Sequence, residues 1–185
     1  YVHATFLLII GWVAVSHWFE QQSLTYVLSG VAFILALFLF VVMHEYGHAL
    51  TARRFGIKTR DITLYPIGGV ARLEKMPEKP IEELWVALAG PAVNLVLAAL
   101  LFAYLFVTGT LEPLTGMTVT RGSFIERLMM VNVSLALFNL VPAFPMDGGR
   151  VLRALLGMKL EYTRATQIAA SIGQGMALLF GFLGL

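Results

Sequence analysis

The sequence predicts an all-α polytopic membrane protein with about five transmembrane helices and a short membrane-associated β-hairpin after the second. Three observations carry this. Of the 185 residues, 58% are hydrophobic and 13% charged, against about 25% charged in an ordinary soluble domain, and the mean hydropathy is +0.80. The apolar residues gather into five segments, each near the roughly 20 residues that cross a bilayer. The basic residues gather into two of the connections between those segments. At this length one domain, residues 1–185, suffices.

The first segment, Ala4 to Phe19, lacks a basic leader and reads as a short spanning helix, not a signal peptide. The second, Leu24 to Ala52, is almost unbroken. Ile62 to Leu73 then reads as two short strands about a Gly68-Gly69 turn that dips apolar residues toward the membrane. Leu84 to Val107 is interrupted by Pro91. That proline removes a backbone donor and disturbs the preceding turn, which a membrane tolerates only where protein or water covers the freed groups. Phe124 to Val141 runs into a proline- and glycine-rich stretch, Asn139 to Arg150, and Ala165 to Leu185 is the last apolar run. The chain opens without methionine and ends apolar, so both ends look trimmed, which leaves open whether a sixth helix has been cut off.

Arg53, Arg54, Lys58, Arg60, Arg72, Lys75 and Lys79 lie between the second and third segments, and Arg150, Arg153, Lys159 and Arg164 between the fourth and fifth. An alternating path puts both connections on one side of the membrane, and the excess of positive charge makes that side the cytosol. Glu20 to Ser23 and Thr108 to Ser123 then face outward. A net charge of +2 is too small to argue for nucleic acid. There are no cysteines, so imidazole and carboxylate are the strong metal ligands that remain.

Near the end of the second segment stands His44-Glu45-Tyr46-Gly47-His48. On a helix, histidines four residues apart project from one face and can share a metal, with the glutamate within reach of a water activated there. Ionisable groups in a spanning segment are costly and call for a functional reason. His44 lies nine residues before Arg53, roughly 13 Å in from the cytosolic boundary at 1.5 Å per residue. Gly90-Pro91-Ala92-Val93-Asn94 lies at a similar depth, and Asn139 to Arg150 ends the fourth segment on the same side. A catalytic zinc takes three protein ligands and keeps an open position. Glu20, Asp61, Glu74, Glu78, Glu82, Glu83, Glu112, Glu126 and Glu161 lie in connections or at segment ends, where solvation is the default. With Glu45 as the base, Asp147 is the candidate third ligand, since the adjoining prolines and glycines let the backbone turn back toward the metal. The competing reading makes Asp147 the cap of a helix through Val151 to Leu156.

At these residues the chain closely resembles the site-2 protease family of intramembrane zinc metalloproteases, particularly its small prokaryotic members. The resemblance spans H-E-Y-G-H, Pro66-Ile67-Gly68-Gly69-Val70, G-P-x-x-N at Gly90 to Asn94, and N-x-x-P-x-x-P-x-D-G-G from Asn139 to Gly149, in family order. It departs by Met146 where leucine is common before the aspartate. The resemblance implies one zinc held by His44, His48 and Asp147, Glu45 as catalytic acid and base, and cleavage of a substrate protein's membrane-spanning helix; the basic connections put the site toward the cytosolic leaflet of the cell membrane.

Asn139 is a candidate donor to the tetrahedral oxyanion or substrate backbone, against a helix-to-helix hydrogen bond. Asn94 is a second candidate, against satisfying the helix broken at Pro91. An exposed hairpin edge could pair with an unwound substrate by strand addition, or the hairpin could be a re-entrant plug that controls water. His17, beside Trp18, reads as an outer-interface anchor. Gln167, Ser171 and Gln174 share a face and read as interhelical packing, near the small pair Ala169 and Gly173. A metal transporter, the chief rival from another class, should carry polar ligands through both leaflets, and the outer halves of these segments lack them. A non-catalytic zinc scaffold would not need Glu45.

Overall fold

The computed structural model describes residues 1, 3–65, 68–75, 77, 79–111 and 122–184. In chain order they form α1 (Phe6–Gln21), α2 (Leu24–Arg54), β1 (Thr59–Tyr65), β2 (Gly68–Leu73), α3 (Pro80–Val107), α4 (Phe124–Asn139), α5 (Asp147–Gly157) and α6 (Tyr162–Leu183). The five apolar segments fall on α1, α2, α3, α4 and α6. Of these, α2, α3 and α6 are long and apolar enough to cross a membrane, while α1 is a shorter apolar helix and α4 has 16 residues. Their outward faces expose Trp12, Leu100, Phe106 and Phe182, the apolar exterior that lipid solvates and water does not.

Helix starts follow local chemistry. Pro80 supplies the fixed φ that suits a first turn, so α3 begins ahead of its apolar run, with Glu82 and Glu83 near its positive end. α4 opens on a capping box, in which the Ser123 amide donates to Glu126 Oε2 at 2.7 Å and the Glu126 amide to Ser123 Oγ at 3.3 Å. Glu126 is therefore buried, not solvated as its position at a segment end suggested. Nor does Pro91 interrupt α3, which continues as one helix through it.

The hairpin forms, with a different turn. β1 and β2 are antiparallel with Tyr65 opposite Gly68 and Asp61 opposite Arg72, so Gly68 and Gly69 open β2 instead of making the turn. The physical reason at Gly69 is contact with α2: a Cβ there would lie 2.8 Å from Glu45 Cγ and 3.0 Å from Val41 Cγ1. Pro66 and Ile67 lie outside the described residues, as do Glu78 and residues 112–121, Glu112 among them, of the connection between α3 and α4. Along its other edge β1 is bonded by the start of the chain, through His3 N to Leu64 O at 3.0 Å and Leu64 N to Tyr1 O at 2.9 Å.

Small residues let the helices close on one another. A Cβ on Gly47 of α2 would meet Ala89 O of α3 at 2.7 Å. Ala52, Ile57 and Val86 form one buried cluster, Phe33, Leu128 and Val131 a second between α2 and α4, and Ala98, Leu105 and Met129 a third between α3 and α4. α6 buries Ala165, Ala169 and Gly173, with Gly173 against the backbone of Ala143 and Phe144. Gln167, Ser171 and Gln174 are exposed on α6, so its buried positions are the small residues and not this polar face. His17 is no free anchor. It lies over Gly30, with its ring 4.8 Å from that of Tyr26.

Candidate metal centre

His44 and His48 stand one turn apart on α2, and both are buried. Their Nε2 atoms are 3.0 Å apart, and each lies 3.1 Å from Oδ2 of Asp147. Helix periodicity accounts for the histidine pair. The carboxylate arrives from 99 residues further along the chain, and α5 delivers it.

Asp147 is the first residue of α5, with Met146 at the cap position and no side-chain capping bond. Its carboxylate goes to the histidines, which removes the capping reading. The two glycines that follow allow the chain to double back. A Cβ on Gly148 would lie 2.2 Å from Val141 O, and one on Gly149 2.8 Å from Phe144 N, so the stretch after α4 folds directly onto the first turn of α5. Burial alone would raise the Asp147 carboxyl; the imidazoles against it outweigh burial and hold it below the usual carboxylate range, as an anion.

α3 closes the other side. His48 Nδ1 donates to Val86 O at 2.7 Å, which fixes the tautomer and leaves the Nε2 lone pair directed at Asp147 and His44. A Cβ on Gly90 would come within 2.2 Å of His48 Nε2 and 2.6 Å of His44 Nε2. Any side chain there would occupy the place where the imidazoles meet.

The donor set fits zinc. Two imidazole nitrogens and a carboxylate oxygen converge from α2 and α5, at 3.0–3.1 Å from one another. Ligand atoms of a tetrahedral zinc lie roughly 3.3 Å apart. Among the described residues this is the one group of three or more such side chains placed to hold a metal, and it could hold one zinc per chain.

The cluster opens into a cavity of about 640 Å³, walled by α2, β2, α3, α4 and the bend before α5. Glu45 lines it, with Gly69 of β2 directly beside its side chain. Asn94 lines it too, fully buried, and neither polar atom of its amide has a hydrogen-bond partner within the protein. Asn139 reaches the same cavity, but its Nδ2 donates to Leu135 O of its own helix at 2.9 Å, not to a neighbouring helix. Sequence reading passed over Gly90 as a packing partner of the imidazoles, although its place beside Pro91 on a spanning helix was a signal. It also left Glu83 as a solvated acid, whereas Glu83 is buried and paired with Arg153.

The profile of peptidase family M50 matches residues 32–121 and 117–180. The chain belongs to peptidase family M50, the site-2 proteases. Across 155 residues it is 41% identical to a zinc metalloprotease of Methanocaldococcus jannaschii, a match covering 84% of this chain and 43% of that protein. It is 29% identical over 149 residues to the stage IV sporulation protein FB of Bacillus subtilis, covering 80% of this chain and 48% of that one. The chain thus spans about half the length of these curated relatives. A solved site-2 protease from Methanocaldococcus jannaschii superposes with a TM-score of 0.66 at 37% identity, over 99% of this chain and 80% of the other. With its apolar helices, this M50 member is a multi-pass membrane protein.

Proposed function

We propose that residues 1–185 are the core domain of an intramembrane zinc metalloprotease. It hydrolyses a peptide bond within or near the transmembrane segment of a membrane-protein substrate, as in regulated intramembrane proteolysis. The observation that carries the proposal is the convergence of His44, His48 and Asp147 beside Glu45, in one cavity at the end of a membrane-length helix.

Zinc held by these three residues supplies Lewis acidity, which lowers the pKa of water toward about 7 and polarises a peptide carbonyl. Glu45 accepts the proton of the attacking water and returns it to the leaving amine. Asn94, whose amide is buried without a protein partner, offers its N–H to the oxyanion or to the substrate backbone, and Asn139 offers its second N–H from α4. The chemistry of a buried, unpaired amide ranks Asn94 ahead of Asn139 for that role.

A helical substrate must unwind, because its peptide bonds are hydrogen-bonded internally. β2 contributes Gly69 and Leu73 to the cavity wall, and an unwound segment adding to β2 as a strand would recover backbone hydrogen bonds beside Glu45. The basic connections favour a cut on the cytosolic side of the cell membrane. The test is cleavage of a single-span membrane protein by the purified chain in lipid vesicles. Product that disappears with a zinc chelator and returns with added zinc supports the proposal, and cleavage indifferent to the chelator contradicts it.

A further inference from the structure

Outside the metal cluster, a buried charge pair joins two elements that the centre depends on. Arg153 donates through Nε to Glu83 Oε1 at 2.9 Å, and through Nη2 to the same oxygen. The Glu83 and Arg153 side chains are only 3% and 11% exposed. We infer that this pair positions the metal ligands, locking the turn of α3 that orients His48 to the helix that presents Asp147. The inference rests on the zinc reading above.

Three features support it. Glu83 lies three residues before Val86, on the adjacent turn and the same side of α3, and the Val86 carbonyl holds His48 Nδ1. Arg153 lies six residues after Asp147 within an 11-residue helix, so fixing Arg153 fixes the position of Asp147. The residues that α5 buries are Asp147, Gly148, Gly149 and Ala154. None of these carries a large apolar side chain, so apolar interlocking at those positions does not set where α5 sits. Val151, Leu152 and Leu156 are only partly buried, so the directional contact with Glu83 adds to the close backbone packing at Gly148 and Gly149 in setting where α5 sits.

The guanidinium also lies 5.4 Å from the centre of the Phe144 ring, in the bend before α5, and 5.2 Å from that of Tyr162, at the start of α6. One planar cation therefore ties together α3, the bend, α5 and α6. A lysine would keep the charge but lose the fork and the ring contacts.

The test separates positioning from folding. A buried pair replaced on both sides by apolar residues of similar size commonly keeps stability, whereas removing one partner leaves an uncompensated charge. The double variant Glu83→Met with Arg153→Met is therefore compared with the parent by thermal unfolding, by zinc affinity in chelator competition, and by the visible spectrum of the cobalt-substituted protein. The expected result is parental unfolding with zinc affinity weakened by roughly 10- to 100-fold, the range for residues that orient metal ligands, and an altered cobalt spectrum. Parental zinc affinity and an unchanged cobalt spectrum would overturn the inference. Arg153→Lys gives the same reading without removing charge. A weakened zinc affinity and a shifted spectrum support the inference, and parental values for both overturn it whatever the double variant does. Failure of the zinc reading itself looks different, because the parent protein would then bind no stoichiometric zinc or cobalt.

Discussion

The roles assigned at the centre differ in what each side chain must do to the metal, so substitution separates them. Asp147→Ala removes an anionic ligand buried against both imidazoles and is expected to abolish cleavage and weaken zinc retention. Full zinc with normal turnover would refute that ligand. Glu45→Gln keeps the shape of the side chain but not its basicity, so zinc is expected to stay while cleavage falls by at least about 100-fold. Loss of zinc together with activity would reassign Glu45. Gly90→Ala places a methyl group 2.2 Å from His48 Nε2, and zinc affinity is expected to drop by about tenfold or more; wild-type affinity would mean the imidazoles have room to move. Asn94→Ala is expected to lower kcat by roughly 100-fold with little change in KM, as for loss of an oxyanion donor. An effect confined to KM would place Asn94 in binding alone.

At the scale of the element, hydrophobic runs and helix periodicity made α1, α2, α3, α4 and α6 legible, because a long apolar run has few alternatives to helix. The histidine pair was legible for the same reason. Contacts between elements were not. Whether Gly68 and Gly69 turn a hairpin or open a strand depends on α2 lying against Gly69, and no local pattern records that neighbour. The burial of Glu83 depends on Arg153, a partner that only tertiary packing supplies, whereas that of Glu126 goes with a local S-x-x-E capping box from Ser123. Elimination among the acids points to Asp147, and only the fold shows that it begins α5 while its carboxylate lies against the histidines of α2. The contact of β2 with Glu45 has a consequence for substrate handling: Gly69→Val should push the strand from the cavity wall, leaving zinc in place and slowing cleavage by about tenfold or more, by misplacing the substrate. Unchanged turnover in that variant would remove β2 from substrate handling.

For the molecule as a whole, the proposed activity is hydrolysis of peptide bonds inside the membrane at a zinc centre on a membrane-length helix. On the proposed orientation, with the basic connections in the cytosol, the position of the motif on α2 would put the reacting bond roughly 13 Å inside the cytosolic boundary. A substrate helix exposes a bond there only by opening about one turn, at a cost of several kcal/mol unless its backbone groups find new partners. Glycine, asparagine or proline near the cut lowers that cost beforehand, so replacing such a residue by leucine is expected to slow turnover more than it weakens binding. The most direct measurement is the new terminus of a single-span substrate, mapped by mass spectrometry after incubation in lipid vesicles with the zinc-loaded protein and, in parallel, with its zinc-loaded Glu45→Gln variant. The expected result is a cut within the cytosolic third of the spanning segment, next to helix-breaking residues, and no product from the variant. A cut in the outer leaflet or outside the span, or the same product from Glu45→Gln, would contradict it.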